Sequence, residues 1–599
     1  MERKPLRFMK IKIFIIRNLL FIILVVAALL RLWNLDSNPP HLSPDEASLG
    51  YNAYSILKTG RDEYGELLPM VFKSFGDYKP GFYVYLTVPF VAVLGLNEWS
   101  VRLPSAIAGT VAVYLLYLLV KELLGYGLSF RSTKNMSVSG SKSFLLSTVY
   151  QQLAMLASLL LAISPWHLHL SRGAWEVNVS LTLTLTGILF FLKSFKFPKY
   201  LIISSFFFSL TFITYQGAKL STAIVILTLF ITFLKDIKIF LKINWKTALV
   251  SLALAFAVSS PALLSFTKGQ TGRLTVFSIF SYPRPEEYLE GFLSKAEEKV
   301  GDLNYYLFHS ETLNFKRGIL GRYFNHFSGR FLFFEGDYQN PKHSSPNHGM
   351  LQFFDIVLIP IGLISLIRHK SRMTDFVLLW LLLSPLPAVL TRDQVQAVRA
   401  FNMVIPLAIV SAYGALTLIN YFKKFRFTDY GLSKSKHVFL RYLLFTVYCS
   451  LFTVSFLYFL DSYFIHLPIH NAKHWSYGYK QVIEDLLPIQ NNYKTVYFQQ
   501  SYDQPYIYYL FYSKYDPAKY QKNAILSYYL GPDVGLVEKL DNIRFSGWSW
   551  PYATGEKSTL IIGNSVAIPG DYNPKDYNLL SEIKYPDNFM TAFRILETK

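Results

Sequence analysis

The sequence predicts an α-helical polytopic membrane protein of about 11 transmembrane helices, followed by a small α/β domain. Three observations lead there. Of 599 residues, 52% are hydrophobic, 17% aromatic and only 16% charged, where a soluble domain carries roughly 25% charged residues; mean hydropathy is +0.27. Apolar runs near 14–33, 102–121, 145–164, 178–192, 200–215, 219–234, 246–266, 351–368, 375–391, 398–421 and 438–463 approach the length that spans a bilayer. After 463 the pattern changes to short strand-like pieces.

The basic residues fall in alternate connections. Arg3, Lys4, Arg7, Lys10, Lys12 and Arg17 lead the chain; later groups include Lys121 and Arg131, Lys193 and Lys199, Lys235 and Lys242, Arg368 and Arg372, and Lys423 to Arg441. With a cytoplasmic N-terminus, every group is cytoplasmic, as the positive-inside rule requires. The net charge of +20 is thus topological and no nucleic-acid partner is expected. Arg31-Leu32-Trp33-Asn34 offers no small-residue cleavage site, so the first helix is a retained anchor. The lone Cys449, in an apolar stretch, excludes a disulfide framework.

This cell-membrane topology makes 1–463 a transmembrane module with outer segments 34–101 and 267–350, and 464–599 an extracytoplasmic α/β domain. Lys79 through Leu96, broken by Pro80 and Pro89, is expected as an interfacial helix. Reading it as a span would invert every later connection. In the last domain, Lys494–Phe498 and Ser558–Gly563 are strand candidates, and Gln504–Tyr512 is an amphipathic helix or strand. The Ser- and Lys-rich stretch 129–143 is expected as a flexible cytoplasmic connector.

The chemistry is sought on the outer face. Ser43-Pro44-Asp45-Glu46 opens a helix just past the first span, with two adjacent carboxylates where a helix N-terminus favours them. In isolation this is as well read as a helix cap. Its companions on the same side are Lys79, Arg102, Arg172 and Glu176. Ionisable groups at membrane depth are costly and usually functional, although snorkelling anchors would explain Lys79 and Arg102 singly. His167 and His169, two apart, do not share a helix face and make a poor chelate. His326, His343 and His348 lie in the second outer segment, which also carries Arg322, Arg330 and Lys342.

The motifs Pro44-Asp45-Glu46, Lys79-Pro80, Arg102-Leu103-Pro104, Ser171-Arg172 with Glu176, Leu390-Thr391-Arg392 with Arg399, and Trp475-Ser476-Tyr477-Gly478-Tyr479-Lys480 occur in order. In this the chain resembles the polytopic C-superfamily (GT-C) glycosyltransferases, in the bacterial branch related to protein O-mannosyltransferases and lipid A aminoarabinose transferases. The resemblance implies inverting transfer of a hexosyl or pentosyl group from a polyprenyl-phosphate sugar donor to a hydroxyl of a lipid, glycan or protein acceptor. It implies Asp45 as general base, Glu46 orienting Asp45 or the acceptor, and Glu176 as a second acid serving the acceptor or a divalent metal cation. Lys79, Arg102, Arg172, Arg392 and Arg399 would meet the donor phosphate. The family's acid five positions past the arginine falls here on Val177, with Glu176 one residue earlier. A lipid-linked glycan ligase and a polytopic lipid or glycan transporter are the alternatives; the transporter would place carboxylates or broken helices in mid-span.

Overall fold

Each apolar run folds as helix. The computed structural model describes residues 3–75, 77–132, 140–268, 278–281, 283–424, 434–500, 504–527, 537–548, 550 and 557–599. The helices of the N-terminal half are α1 (Arg3–Leu32), α2 (Pro44–Thr59), α3 (Phe82–Leu94), α4 (Glu98–Ser132), α5 (Gly140–Ala162), α6 (Pro165–Arg172), α7 (Glu176–Ser194), α8 (Tyr200–Phe212) and α9 (Ala218–Thr267). The runs 219–234 and 246–266 are the two arms of α9, which is kinked between them, with non-helical backbone at Phe233 and Asn244. The later runs form helices Asp355–Arg368, Arg372–Leu383, Val404–Lys424 and Lys434–Asp461.

Among the described residues, five helices are each long and apolar enough to cross a membrane. A sixth joins them if the pair Thr148–Ala162 and Pro165–Arg172, bent by 55°, is one span. The bend has a local cause: Ser164 caps a new helix whose first residue is Pro165, and proline cannot continue the ladder of α5. One of the two most apolar of the five, Tyr442–His470, is only 11% buried, an apolar surface of the kind a bilayer covers. The protein is therefore a multi-pass membrane protein. Helix α3 has 13 residues, about 20 Å at 1.5 Å per residue, short of the roughly 30 Å hydrocarbon core. Pro89 lies inside it and does not break it. The middle of the connector expected at 129–143, the side chains of the N-terminal basic group and most of the basic group at 423–441 lie outside the described residues.

Small residues let the helices meet. A Cβ on Gly362 would stand 2.0 Å from the Val410 carbonyl oxygen, and one on Gly414 2.1 Å from that of Leu358. Helices Asp355–Arg368 and Val404–Lys424 thus touch backbone to backbone, the approach that membrane helices gain by omitting side chains.

Among the described residues, the C-terminal β-sheet domain is a seven-stranded mixed sheet. Besides the hairpin β1 (Val71–Ser74) and β2 (Asp77–Pro80), its strands are β3 (Val496–Gln499), β4 (Ile525–Leu526), β5 (Val537–Leu540), β6 (Ile543–Ser546), β7 (Leu560–Asn564), β8 (Tyr577–Lys584) and β9 (Thr591–Thr598). The order is β4-β5-β6-β3-β7-β9-β8, with β3 parallel to both β6 and β7. Both strands expected from the sequence are present, as β3 and β7, and the ambiguous Tyr-rich piece is a helix, Pro505–Tyr512. Its Tyr506 and Tyr508 are wholly buried in a core shared with α2 and α4 residues such as Tyr51 and Val101. The Tyr508 hydroxyl donates to the Leu42 carbonyl at 3.0 Å, and the Gln521 side chain donates to the Asp62 carbonyl at 2.8 Å. This shared core locks the sheet domain onto the segment after the first helix.

Candidate active site

The site begins with the cap of α2. The Ser43 side chain accepts from the Glu46 backbone N–H, and the Glu46 carboxylate accepts from the Ser43 N–H at 2.9 Å, a reciprocal capping box. Successive helical residues are turned by about 100°, so the two acids face different surroundings. Glu46 is 3% exposed; its Oε1 accepts from Arg102 Nε at 3.0 Å and from the Ala174 N–H at 2.8 Å. The Asp45 side chain remains 52% exposed.

Asp45 is paired with Lys79, whose ammonium lies 4.9 Å from the Phe75 ring centroid. The β1–β2 hairpin sets this approach by pairing Lys79 with Phe72. Lys79 itself is 5% exposed, so it supports Asp45 from beneath.

Arg102 and Arg172 do not line the cavity. Arg102 is fully buried and, besides Glu46, donates to the carbonyls of Leu35 (2.9 Å), Pro39 (3.0 Å) and His41 (2.7 Å). Arg172, also fully buried, donates to the carbonyls of Leu30 (2.7 Å) and Asn38 (2.8 Å) and packs on the Phe464 ring. Their hydrogen bonds fold the segment between α1 and α2 around the two guanidinium groups. Lys79, Arg102 and Arg172, expected to meet a donor phosphate, are thus bonded here to Asp45, to Glu46 and to the carbonyls of the segment that presents Asp45.

A cavity of about 650 Å³ opens over Asp45. It is lined by Asp45 and Glu46 with the start of α2, Phe75, Trp175 and Glu176 at the start of α7, Tyr215, residues between Asn340 and His343, and residues between Arg392 and Arg399. Gln500 and Gln504 from the C-terminal domain complete it. Of the eight site residues expected from sequence, Asp45, Glu46, Glu176, Arg392 and Arg399 thus meet here, whereas Lys79, Arg102 and Arg172 sit behind the wall. Arg399 is within 3.5 Å of Asp393. Trp175, Tyr215, Asn340, Gln396, Gln500 and Gln504 were not singled out for chemistry by sequence; neutral carboxamides carry no signal until the fold gathers them.

The histidines separate as their spacing predicts. His167 meets Arg31 at 2.7 Å, whereas His169 meets the Lys342 carbonyl at 2.8 Å. His326 accepts the Gln396 N–H at 3.1 Å, His343 pairs with Asp337, and His348 contacts the Gly349 carbonyl. Among the described residues no group of three or more His, Cys, Asp or Glu is placed to hold a metal ion. Of the carboxylates lining the cavity, Asp45 is bound to Lys79 and Glu46 to Arg102, which leaves Glu176 and Asp393 as the acids that could face a cation there.

Two buried groups sit where the sheet domain docks. Burial lowers His41 to a pKa of about 4, so its imidazole is neutral, with Nδ1 at 2.9 Å from the Leu42 carbonyl and Nε2 accepting the Lys480 N–H at 3.1 Å. Burial raises Glu63 to about 8; its Oε1 accepts from Asn52 at 3.1 Å, while Oε2 has no hydrogen-bond partner.

Comparison with known proteins adds the following. Residues 21–128 match the family model described as dolichyl-phosphate-mannose-protein mannosyltransferase. No curated protein matches the chain by sequence. Among solved structures, ArnT from Cupriavidus metallidurans bound to undecaprenyl phosphate is similar at a TM-score of 0.52 and 11% identity, covering 96% of this chain and 97% of that one. The archaeal oligosaccharyltransferase AglB from Archaeoglobus fulgidus, in complex with an inhibitory peptide and a dolichol-phosphate, matches at a TM-score of 0.46 and 13% identity, covering 91% of this chain and 62% of its own. In fold along nearly its whole length the chain is similar to ArnT, and over residues 21–128 its sequence is similar to the dolichyl-phosphate-mannose-protein mannosyltransferase family model.

Proposed function

We propose that the protein transfers a sugar from a polyprenyl-phosphate donor to an acceptor hydroxyl, with inversion, on the outer face of the cell membrane. The observation that carries this is the placement of one exposed carboxylate, Asp45, in a cavity that Arg392 and Arg399 also line. A hydroxyl attacks only as its proton is taken, which a positioned carboxylate does at a gain of about 10²–10⁴. The departing phosphate gathers negative charge, which guanidinium groups bind through paired N–H donors. Asp45 is the base, Lys79 holds it in place, and Arg392 and Arg399 receive the phosphate. Glu46, through Arg102 and Ala174, fixes the cap that aims Asp45, and Glu176 binds the acceptor.

The lipid part of the donor has a place to lie. Phe212, three residues before the cavity's Tyr215, lines a groove of about 410 Å³ between α7, α8 and α9. Phe191, Phe208, Phe240 and Leu263 make it apolar, as an isoprenoid chain requires. ArnT, similar in fold, is bound to undecaprenyl phosphate in its structure, which supports a carrier of this kind. With the N-terminus cytoplasmic by the positive-inside rule, the cavity opens outward and the C-terminal domain is extracytoplasmic. The test is sugar transfer by membranes given polyprenyl-phosphate sugars: the wild type turns over and Asp45→Asn does not. Unchanged turnover in Asp45→Asn would sink the assignment.

A further inference from the structure

We propose that His343, oriented by Asp337, binds the phosphate of the donor and protonates it as the sugar leaves. The inference rests on the donor reading above and assigns a residue that this reading does not use. Asp337 is fully buried in the segment before helix Asp355–Arg368. Its Oδ1 accepts the Asn340 N–H at 3.1 Å, and its Oδ2 accepts the Ala397 N–H at 2.8 Å. So held, Oδ2 also meets His343 Nδ1 at 3.0 Å. The ring is fixed further by edge contact with Trp175, 5.4 Å between centroids.

His343 lines the cavity, together with Lys342, Arg392 and Arg399. Nδ1 is turned to Asp337, which leaves Nε2 as the ring nitrogen available to a ligand. A carboxylate on one nitrogen sets the tautomer and stabilises the imidazolium formed when the other nitrogen carries a proton. When Nε2 carries that proton, an anion delivered beside Arg392 and Arg399 meets an imidazolium N–H as well, and a charge-assisted hydrogen bond follows. A structural histidine buried among apolar neighbours would need neither the cavity lining nor the carboxylate behind it.

The step balances. The acceptor oxygen attacks the anomeric carbon while its proton passes to Asp45. The anomeric C–O bond to phosphate breaks, its electron pair stays on the phosphate oxygen, and His343 Nε2 gives that phosphate a proton. Asp45 then releases its proton and His343 regains one, so the enzyme returns to its starting state.

The test compares binding of farnesyl phosphate and of farnesol to the purified full-length protein in detergent. For wild type, farnesyl phosphate is expected to bind more tightly. His343→Ala should weaken farnesyl phosphate roughly tenfold, the worth of one such hydrogen bond, and leave farnesol unchanged, a selectivity that general loosening of the fold would not produce. His343→Gln, which keeps an N–H donor but no transferable proton, should recover most phosphate binding while losing at least about tenfold in turnover. It also serves as the binding variant should His343→Ala not fold. Equal farnesyl phosphate affinity in the variant and wild type would overturn the role of His343 and leave the donor reading standing. Full turnover in His343→Gln would overturn the proton transfer. A wild type that binds farnesyl phosphate no better than farnesol would remove the donor reading, and this inference with it.

Discussion

Lys79 stands beneath Asp45: a nearly buried ammonium, walled by the Phe75 ring, is bonded to a carboxylate whose other side faces the cavity. A charge so buried is stable because its partner is adjacent. The pair therefore predicts two different mutant behaviours from neighbouring atoms.

Asp45→Asn should abolish sugar transfer while expression and membrane insertion persist, because half of that side chain is in solvent. Asp45→Glu moves the carboxylate by about 1 Å, enough for a loss near a hundredfold. Turnover on membranes, normalised to folded protein, checks both.

Glu46 should behave otherwise. Removing Arg102 leaves a carboxylate at 3% exposure without its cation, a loss of about 3–5 kcal/mol. Arg102→Ala is expected to lose folded protein and not merely activity. A thermal unfolding midpoint equal to wild type would refute the burial argument.

Arg399→Ala and Arg392→Ala should raise KM for the donor while leaving the unfolding midpoint within a few degrees, since both guanidinium groups line the cavity. Kinetics with donor and acceptor varied separately decide this. An effect confined to acceptor KM would reassign these arginines.

The junction with the sheet domain should respond to pH in two opposite limbs. Glu63 has a folded pKa of about 8 against an ordinary 4.5. Its neutral form is favoured by folding, so its stability contribution is complete below 4.5 and is lost as pH rises towards 8. His41, at about 4 against 6.5, contributes fully above 6.5 and loses that contribution as pH falls towards 4. Glu63→Gln should therefore raise the unfolding midpoint at pH 8 by several degrees and change it little at pH 4.5. A variant whose midpoint tracks wild type across that range would count against the buried carboxyl.

Much of the architecture was legible in the residues. The apolar runs became helices, and Val496–Gln499 and Leu560–Asn564 became strands, because period and length are local properties. The bend before Pro165 falls where the run 145–164 ends, again a local signal. At the site, Asp45 and Glu46 are adjacent letters with contrary surroundings, and which of them faces the core depends on where α4 and α7 pack. The same holds for Arg102 and Arg172: a cation in a motif reads alike whether it meets a ligand or, as here, backbone carbonyls. His343 is nearly 300 residues from Asp45, and no local pattern announces that they share a chamber.

Gln500 and Gln504 close that chamber with chain made more than 450 residues after Asp45. The chamber is consequently unfinished until residues 500 and 504 have been made and the sheet domain has seated itself on α2. A ribosome-bound or truncated chain, even with every span inserted, would present an open vestibule.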